Sequence, residues 1–503
     1  MKLVILTFLI LGLSLLSFPQ SAAVTSSAAS VQLPDSPTAN MLGEWFAAFN
    51  SGDPQRLRKF VDTRLSANAF RYQYPAEKFI AIFAKLYEQS GGLEIVKVLP
   101  HQPPQPFAVV AKSKRGDHYI RVLAGLDTVE TNKLFGMGFE RAESPDTKKI
   151  GEIENPMSET EMISTINRRL DQLAASGDLS GVVLLSKDDK VLIERAFGLS
   201  DREAKLPNTL DTKYHLASVG KMFTAVAIAQ LVKAGKLSFD DTVAKVFPNY
   251  PNKEVAGEIT IRQLLTHSAG MGTFFQSPGF VKGRTYANST AEVDVYKDEK
   301  LFFKPGTSWR YSNVGYSLLG AIIERLTGKT YLEYIRENIF EPFGMSNTYN
   351  NSPGRPAPNS SVFYEQSDDD PLGTEPFIPD RELAGGTGTG FGGGFSTARD
   401  MFLFLRAYRT GKLLGSQMTD AMFSDKVSTS PKGNQFYDYG IFETESNGEI
   451  VRGHSGGSRV DVQMLWNSGY TVIVLTNQVP PVASAISGEI VKFLTKQNAL
   501  RGK

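Results

Sequence analysis

A serine and a lysine three residues apart open the apolar segment HLASVGKMFTAVAIAQLVKAG. If this segment is a helix, Ser218 and Lys221 share one face, and the lysine leans back toward the serine hydroxyl. The positive end of the helix and burial both favour an uncharged lysine, and a neutral amine can activate a neighbouring hydroxyl as a nucleophile. An isolated S-x-x-K is more typical of a capping serine followed by a surface lysine. The hypothesis therefore depends on partners elsewhere in the chain.

A tyrosine and an asparagine follow in the segment FFKPGTSWRYSN. Pro305-Gly306 predicts a turn, and the apolar pattern VGYSLLGAIIERLTG predicts a helix directly afterwards. Tyr311 and Asn313 are therefore expected on a loop or at a helix entrance. A phenol can pass a proton, and an amide can both donate and accept a hydrogen bond.

The third motif is Gly453-His454-Ser455-Gly456-Gly457, between strand-like EIVR and RVDVQML. Small residues on a strand allow a substrate backbone to approach closely. The order S-x-x-K, Y-x-N and H-S-G, with LLTHSAGM and PGTSWRYSN between, resembles the serine β-lactamase and penicillin-binding-protein-like superfamily. It is most similar to the branch of class C β-lactamases, D-alanyl-D-alanine carboxypeptidases and family VIII esterases. The resemblance covers essentially all of residues 158–500.

The resemblance implies a role for each motif residue. Ser218 would be the acylated nucleophile, and Lys221 and Tyr311 would share the proton transfers. Asn313 would position Lys221 and the substrate amide. No cofactor and no metal ion are expected.

The resemblance also implies that the H-S-G strand binds the substrate through His454, Ser455, Gly456 and Gly457. The backbone N–H groups of Ser218 and Gly457 would form the oxyanion hole. His454 takes the place of the lysine usual in true β-lactamases, which favours a peptide or ester substrate over a lactam. A histidine near its usual pKa can be neutral at pH 7 and attracts a carboxylate less than lysine does.

These observations predict an exported serine hydrolase that acts through a Ser218 acyl-enzyme on an amide or ester. D-amino-acid peptides, small esters and lactams are the candidate substrates. One alternative is a non-hydrolytic penicillin-binding-like sensor or scaffold protein. Another is an assembly protein that dimerises or docks through its N-terminal domain.

Two other motifs point elsewhere. Gly453-x-Ser455-x-Gly457 fits a nucleophile elbow, but that motif requires a later histidine, and none follows Ser455. Gly388-x-Gly390-x-x-Gly393 fits a dinucleotide fingerprint but lacks a preceding strand, so it is interpreted as a glycine loop bordering the cleft. His267, in LLTHSAG, is interpreted as a structural hydrogen-bonding residue.

Composition narrows the class of protein. The chain has 503 residues, 54 basic and 53 acidic, and nothing points to nucleic acid as a partner. It has no cysteine, which excludes disulfides and thiol nucleophiles. A basic start, an apolar run and Ser21-Ala22-Ala23 predict a signal peptide over residues 1–23 and a periplasmic or secreted protein. The run is shorter than the roughly twenty residues of a membrane span, although an uncleaved anchor is the alternative.

The remaining pattern predicts the domain order. Residues 24–40 are a flexible lead-in, and residues 41–143 read as three helices followed by about four strands. This small α+β domain weakly resembles the nuclear-transport-factor-two-like cone fold. Residues 144–157 are polar and predicted as a linker, and residues 158–500 form the hydrolase domain. Strand patterns at both ends of that domain predict one antiparallel sheet flanked by the N- and C-terminal helices, with a helical lobe between.

Overall fold

The computed structural model describes residues 31–72, 74–101, 106–127, 129–147, 149–150, 152–273, 288–297, 300–348, 357–367, 370, 372–373, 376–380, 388–430, 433–457, 459–478 and 482–502. They divide into two compact units. The N-terminal unit takes the described residues up to 148 together with residues 365–378, and the C-terminal unit takes the others from 149 onward. The predicted signal peptide, residues 1–23, lies outside the described residues, as does 274–287 in the insertion after Gly272.

The N-terminal unit has helices followed by strands, as predicted. Its helices are α1 (Pro37–Asn50), α2 (Pro54–Arg64), α3 (Ala67–Tyr72) and α4 (Ala76–Ser90). Its strands, antiparallel in the order β1-β2-β3-β4, are β1 (Leu93–Val98), β2 (Phe107–Ser113), β3 (Tyr119–Leu126) and β4 (Leu134–Ala142). The short α3 is additional to the three predicted helices. Helix α1 begins before the expected Met41, because Ser36 accepts a hydrogen bond from the Ala39 N–H and Pro37 suits the first turn.

Aromatic rings fill the core of the N-terminal unit. Trp45 is fully buried, with its ring centroid 4.8 Å from Phe49 and 5.5 Å from Phe83. Leu372, from the 365–378 segment, is buried in the same core, and Gln89 Nε2 donates to Asp370 Oδ1 at 2.5 Å. The core is therefore completed by residues that come much later in the sequence.

The C-terminal unit contains most of the helices. They are α5 (Glu159–Ala175), α6 (Lys221–Lys233), α7 (Val243–Val246), α8 (Lys253–Glu258), α9 (Ile261–Leu265), α10 (Ser289–Val293), α11 (Asn313–Thr327), α12 (Tyr331–Ile335), α13 (Ala398–Arg409), α14 (Ser416–Ala421) and α15 (Val482–Arg501). Within the described ranges, no helix is both long enough and apolar enough to cross a membrane.

One large antiparallel sheet organises this unit. Its strands are β5 (Gly181–Lys187), β6 (Lys190–Phe197), β13 (Val427–Ser428), β14 (Gln435–Tyr437), β15 (Phe442–Ser446), β16 (Glu449–Gly456), β17 (Val460–Leu465) and β18 (Tyr470–Thr476). Small two-stranded pairs are formed by β7 (Leu199–Asp201) with β8 (Leu206–Pro207), β9 (Tyr214–His215) with β12 (Phe395–Ser396), and β10 (Phe363–Glu365) with β11 (Ile378–Asp380).

The large sheet joins the two ends of the hydrolase sequence. Its order is β13-β14-β15-β16-β17-β18-β5-β6, so the last strand pairs with the first, with Ile473 opposite Leu184. One apolar core includes residues of the sheet, α5 and α15, and another joins the sheet to the helical lobe. The predicted fold class, an antiparallel sheet with flanking terminal helices and a helical lobe, is confirmed.

The segment 144–157, predicted as a linker, is partly built into the C-terminal unit. Ile150 and Ile153 are buried in the core under α5 and α15, and the Ile150 N–H donates to Glu489 Oε1 at 3.0 Å. Arg169 forms a buried ion pair with the same carboxylate, 3.1 Å from Nε to Oε1. Two isoleucines in a polar segment are a weak sequence signal for a buried element. Their burial nevertheless explains why the C-terminal unit begins at residue 149.

Candidate active site

Ser218 lies in a tight turn that packs against strands β16 and β17 of the large sheet. The prediction placed it in the first turn of a helix, but α6 begins only at Lys221, and residues Ala217–Gly220 form a 3-10 turn before it. Ala217 has a φ of 46°, a left-handed conformation that is costly for a residue with a side chain. Gly456 of β16 packs against this turn, where a Cβ would lie 2.2 Å from the Leu216 carbonyl oxygen. The strand therefore holds the turn closely only because residue 456 is glycine.

Lys221 is fully buried beside Ser218. Its Nζ lies 3.3 Å from Ser218 Oγ and donates to Asn313 Oδ1 at 2.8 Å and to the Phe391 carbonyl oxygen at 2.5 Å. Burial holds the pKa of Lys221 well below its usual value, against an opposing effect of Glu292. A neutral amine has two N–H groups and one lone pair. Since the two oxygens take the N–H groups, the lone pair is left for the Ser218 hydroxyl.

Tyr311 reaches the same place from the entrance of α11, although its sequence position is far from Ser218. Lys221 Nζ lies 4.8 Å from the centroid of its ring. Burial raises the pKa of Tyr311, and the nearby Ser218 hydroxyl offsets only part of that effect. Its hydroxyl has no well-aligned hydrogen-bond partner among the described residues. Tyr311 is therefore a protonated phenol with its proton available.

His454 is buried and uncharged. Its Nδ1 lies 2.7 Å from the Ser455 carbonyl oxygen, which can only accept, so Nδ1 carries the proton. Its Nε2 lies 3.1 Å from the Tyr437 hydroxyl, which therefore donates. Burial, with a smaller effect of Lys221, lowers the pKa of His454 to about 3. Burial therefore makes the ring more firmly neutral at pH 7 than a histidine near its usual pKa would be.

The Ser455 side chain and the His454 side chain lie on opposite faces of the sheet. Ser455 is paired with Asp461, whose carboxylate accepts from Ser487 of α15 at 2.6 Å. Cross-strand partners share a face, so the Ser455 side chain lies on the α15 side and His454 on the other. The structure thus brings the backbone of Gly456, but not the Ser455 hydroxyl, against the Ser218 turn. Gly457 follows with a φ of 55°, where the strand has ended.

His267 supports the loop that carries Tyr311 and Asn313. Its Nδ1 accepts from the Ser312 N–H at 3.1 Å, and Ser312 caps α11. Its ring centroid lies 4.3 Å from that of Tyr311 and 4.4 Å from that of Tyr437. These contacts agree with the interpretation of His267 as a structural hydrogen-bonding residue.

Three contributors to the site were not identified from the sequence. Phe391 contributes a backbone oxygen, for which no side-chain pattern exists, although the glycine loop around it was expected at the cleft. Tyr437 binds His454 from a neighbouring region of the sheet, and Glu292 acts electrostatically on Lys221 from α10. Tyr437 and Glu292 belong to no sequence motif. Only their tertiary contacts with distant residues could have identified them.

A separate cavity lies in the helical lobe. It has a volume of about 620 Å³, and its lining includes Tyr250, Leu318 and Lys329. Ser218, Lys221, Tyr311 and His454 do not line it. The cavity is therefore distinct from the cluster that can do chemistry.

Comparison with known proteins gives consistent matches to one group. The model of the family described as Beta-lactamase matches residues 166–496. Penicillin-binding protein 4* of Bacillus subtilis is 35% identical over 184 residues, which cover 35% of this chain and only 39% of that relative.

Two solved structures support the same grouping. The octameric penicillin-binding protein homologue from Pyrococcus abyssi is 27% identical with a TM-score of 0.58, covering 66% of this chain and 77% of its own. A D-stereospecific amidohydrolase from a Streptomyces species is 25% identical with a TM-score of 0.53, covering 66% and 97%.

Proposed function

The chain belongs to the Beta-lactamase family and is a serine hydrolase of the β-lactamase, D,D-peptidase and esterase type, and we propose that it cleaves an amide or ester through an acyl-enzyme on Ser218. The observation that carries this proposal is the arrangement of Lys221. Its two N–H groups are taken by Asn313 and Phe391, and its lone pair remains for the Ser218 hydroxyl.

The proton steps follow from this arrangement. Ser218 Oγ attacks the substrate carbonyl carbon while its proton moves to Lys221 Nζ. The oxyanion is bound by the N–H groups of Ser218 and Gly457, each worth roughly 3 kcal/mol. Tyr311 gives its proton to the leaving amine or alkoxide and is reprotonated from Lys221. Water then releases the acyl group by the reverse transfers.

We propose a substrate with no free carboxylate at the H-S-G strand. A neutral His454, with both ring nitrogens already hydrogen-bonded, offers no charge to a carboxylate. A D-amino-acid amide or a small ester meets this requirement, and D-stereospecific amide hydrolysis is named for one structural relative. A penicillin or a peptide with a free C-terminal carboxylate meets it less well.

The nucleophile is tested by intact-protein mass spectrometry after exposure to a fluorophosphonate probe. We expect a single adduct that disappears in Ser218→Ala. The control variant, Ser484→Ala on α15, should still be labelled. An unchanged adduct in Ser218→Ala would exclude this nucleophile.

The substrate class is tested by kcat/KM for a D-amino-acid amide, a p-nitrophenyl ester, a D-amino-acid dipeptide and a penicillin. We expect the amide or the ester to be turned over at least about 10-fold faster than either carboxylate-bearing compound, since a carboxylate bound here would lack a charged partner worth about 1.5–3 kcal/mol. A fastest rate with penicillin would instead favour lactam hydrolysis.

We also propose that residues 1–23 direct export and that residues 41–143 form a nuclear-transport-factor-two-like domain that dimerises or docks the enzyme. The four-stranded antiparallel sheet with preceding helices supports that domain type. The mass of the mature protein and the sedimentation mass of the full chain test the two proposals. An intact N-terminus would overturn export with cleavage of the signal peptide. A monomer at all concentrations would overturn dimerisation.

A further inference from the structure

A carboxyl group that the proposed mechanism does not use is buried close to the site. Glu292, on α10, is 2% exposed. Helix α10 is fixed to α11 by Glu324, whose two carboxylate oxygens accept from the Ser289 and Thr290 N–H groups at 3.0 Å each. These bonds hold α10, and with it the backbone of Glu292, in a fixed position on α11.

Three segments meet at this place. A Cβ on Gly320 of α11 would lie 2.7 Å from Ser289 Oγ and 3.0 Å from Gly390 Cα. Helix α10, helix α11 and the glycine loop at residues 388–394 therefore pack without space for another side chain. Two of these segments carry the oxygens that accept from Lys221, namely Asn313 on α11 and Phe391 in the glycine loop.

Glu292 interacts with both of those segments. The Ser317 hydroxyl, one helical turn after Asn313, and the Thr389 hydroxyl, two residues before Phe391, both lower its pKa. Neither hydroxyl has a well-aligned hydrogen-bond partner among the described residues. Glu292 Oε2 has no well-aligned partner within the described residues. A buried carboxyl oxygen left in this way is costly and calls for an explanation.

The charged groups that act on Glu292 come from two elements, Lys221 of α6 and Glu324 of α11. A charged Glu292 raises the pKa of Lys221, and a charged Lys221 lowers the pKa of Glu292. Burial is the larger effect and raises the pKa of Glu292 to about 7.

We propose that Glu292 is a positioning residue for Lys221. It is buried on a helix packed against the two segments that orient the amine, and its negative charge stabilises the ammonium that forms when Lys221 takes the Ser218 proton. The proton passes only between Ser218 and Lys221, and Glu292 forms no covalent bond. This inference rests on the proposed function of Ser218 and Lys221.

The test is the rate of fluorophosphonate labelling of Ser218 in the full-length chain, measured from pH 5 to 9. We expect the rate to rise in a step near pH 7, as Glu292 ionises. In Glu292→Gln, which keeps the size and removes the charge, the step should disappear and the rate above pH 7 should fall on the order of 10-fold. An unchanged step and rate in this variant would overturn the proposal.

Two further variants separate positioning from a merely structural role. Asp438 is another buried carboxyl whose pKa is raised to about 7, so Asp438→Asn is a matched control that should keep the step. The Ser317 hydroxyl holds the pKa of Glu292 down, so Ser317→Ala should move the step to higher pH. A step that is lost in Asp438→Asn, or that stays in place in Ser317→Ala, would assign it to another group. Absence of labelling in the unaltered protein would overturn the proposed function itself, independently of Glu292.

Discussion

The two units treat a buried carboxyl group in opposite ways. Asp127 of the N-terminal unit accepts from the Ser66 hydroxyl at 2.6 Å and from two backbone N–H groups, those of Val129 and Glu130, at 2.7 and 2.9 Å. These bonds, led by that of Ser66, lower its pKa to about 2. Glu292 of the C-terminal unit is similarly inaccessible, but burial dominates and raises its pKa to about 7.

The difference lies in the number and direction of the donors. Asp127 is surrounded by donors that favour its charged form, so its ionisation stabilises the fold. Glu292 is near two hydroxyls, neither of them well aligned for a hydrogen bond, and its Oε2 has no partner in the described structure, so its ionisation costs stability. What distinguishes Glu292 from other buried carboxyl groups is its effect on the pKa of Lys221, which connects its charge to the chemistry of the site.

The largest expected effect is that of replacing Lys221, whose pKa Glu292 raises. Lys221→Met keeps the approximate volume and removes the base, so turnover should fall about 10²- to 10⁴-fold. The assay is ester or amide hydrolysis at saturating substrate. Lys233→Met, at the far end of α6 where Nζ donates to the Leu414 carbonyl oxygen, is the control and should keep its activity. Turnover within about 10-fold of the original in Lys221→Met would mean that another group is the base.

Glu292→Gln sharpens the comparison through stability. The folded state holds the Glu292 proton up to about pH 7, whereas the unfolded chain releases it near 4.5, so the contribution of this group falls as the pH rises across that window. The variant should therefore gain about 3 kcal/mol in unfolding free energy at pH 8 relative to pH 4, compared with the unaltered protein. Urea titrations at the two pH values measure this. A loss of stability at pH 8 would show that the carboxylate is a structural group.

Asp127→Asn should have the opposite sign. The folded pKa lies below the usual 3.8, so the contribution is present above pH 3.8 and is lost as the pH falls through about 2. Removing the charge should cost about 2 kcal/mol at pH 7, the usual value for hydrogen bonds to a charged acceptor. Thermal unfolding followed by circular dichroism measures it. The exposed Asp117→Asn should change little, and an equal loss in both variants would contradict the argument.

The smallest expected effect concerns His454. Tyr437→Phe removes the O–H donor and leaves the buried Nε2 without it, at a cost of about 1 kcal/mol in stability. Tyr408→Phe is a matched control, because the Tyr408 hydroxyl is buried with no partner among the described residues. The midpoints of urea unfolding should therefore differ between the two variants. Equal midpoints would show that the Tyr437–His454 hydrogen bond does not contribute to stability.

Much of the C-terminal unit could be predicted because its signals are local. Short segments rich in apolar and β-branched residues identify β5, β6, β16, β17 and β18, and a sheet needs both faces covered, which predicts flanking helices. Ser218, Lys221, Tyr311 and Asn313 belong to short motifs, so their meeting could be expected from their order along the chain. The family resemblance is confirmed by the match over residues 166–496. The resemblance of the N-terminal domain to the nuclear-transport-factor-two-like fold stays a prediction.

The parts that could not be predicted depend on pairing between distant residues or on backbone atoms. The Phe391 carbonyl oxygen has no residue-type signal, and Glu292 lies in a segment with ordinary surface composition. The 3-10 turn before α6 depends on how closely Gly456 approaches it, which is a tertiary contact. The low pKa of His454 likewise follows from burial, which the motif does not specify.

The position of segment 365–378 in the sequence affects when the N-terminal unit can complete its folding during synthesis. Helices α1–α4 and strands β1–β4 are synthesised first. Leu372 can reach their core only after most of the C-terminal unit has left the ribosome. Contacts that join residues so far apart in sequence form slowly. The earliest part of the chain to be made is thus among the last to be completed, and a partly synthesised chain would keep an open apolar core until then.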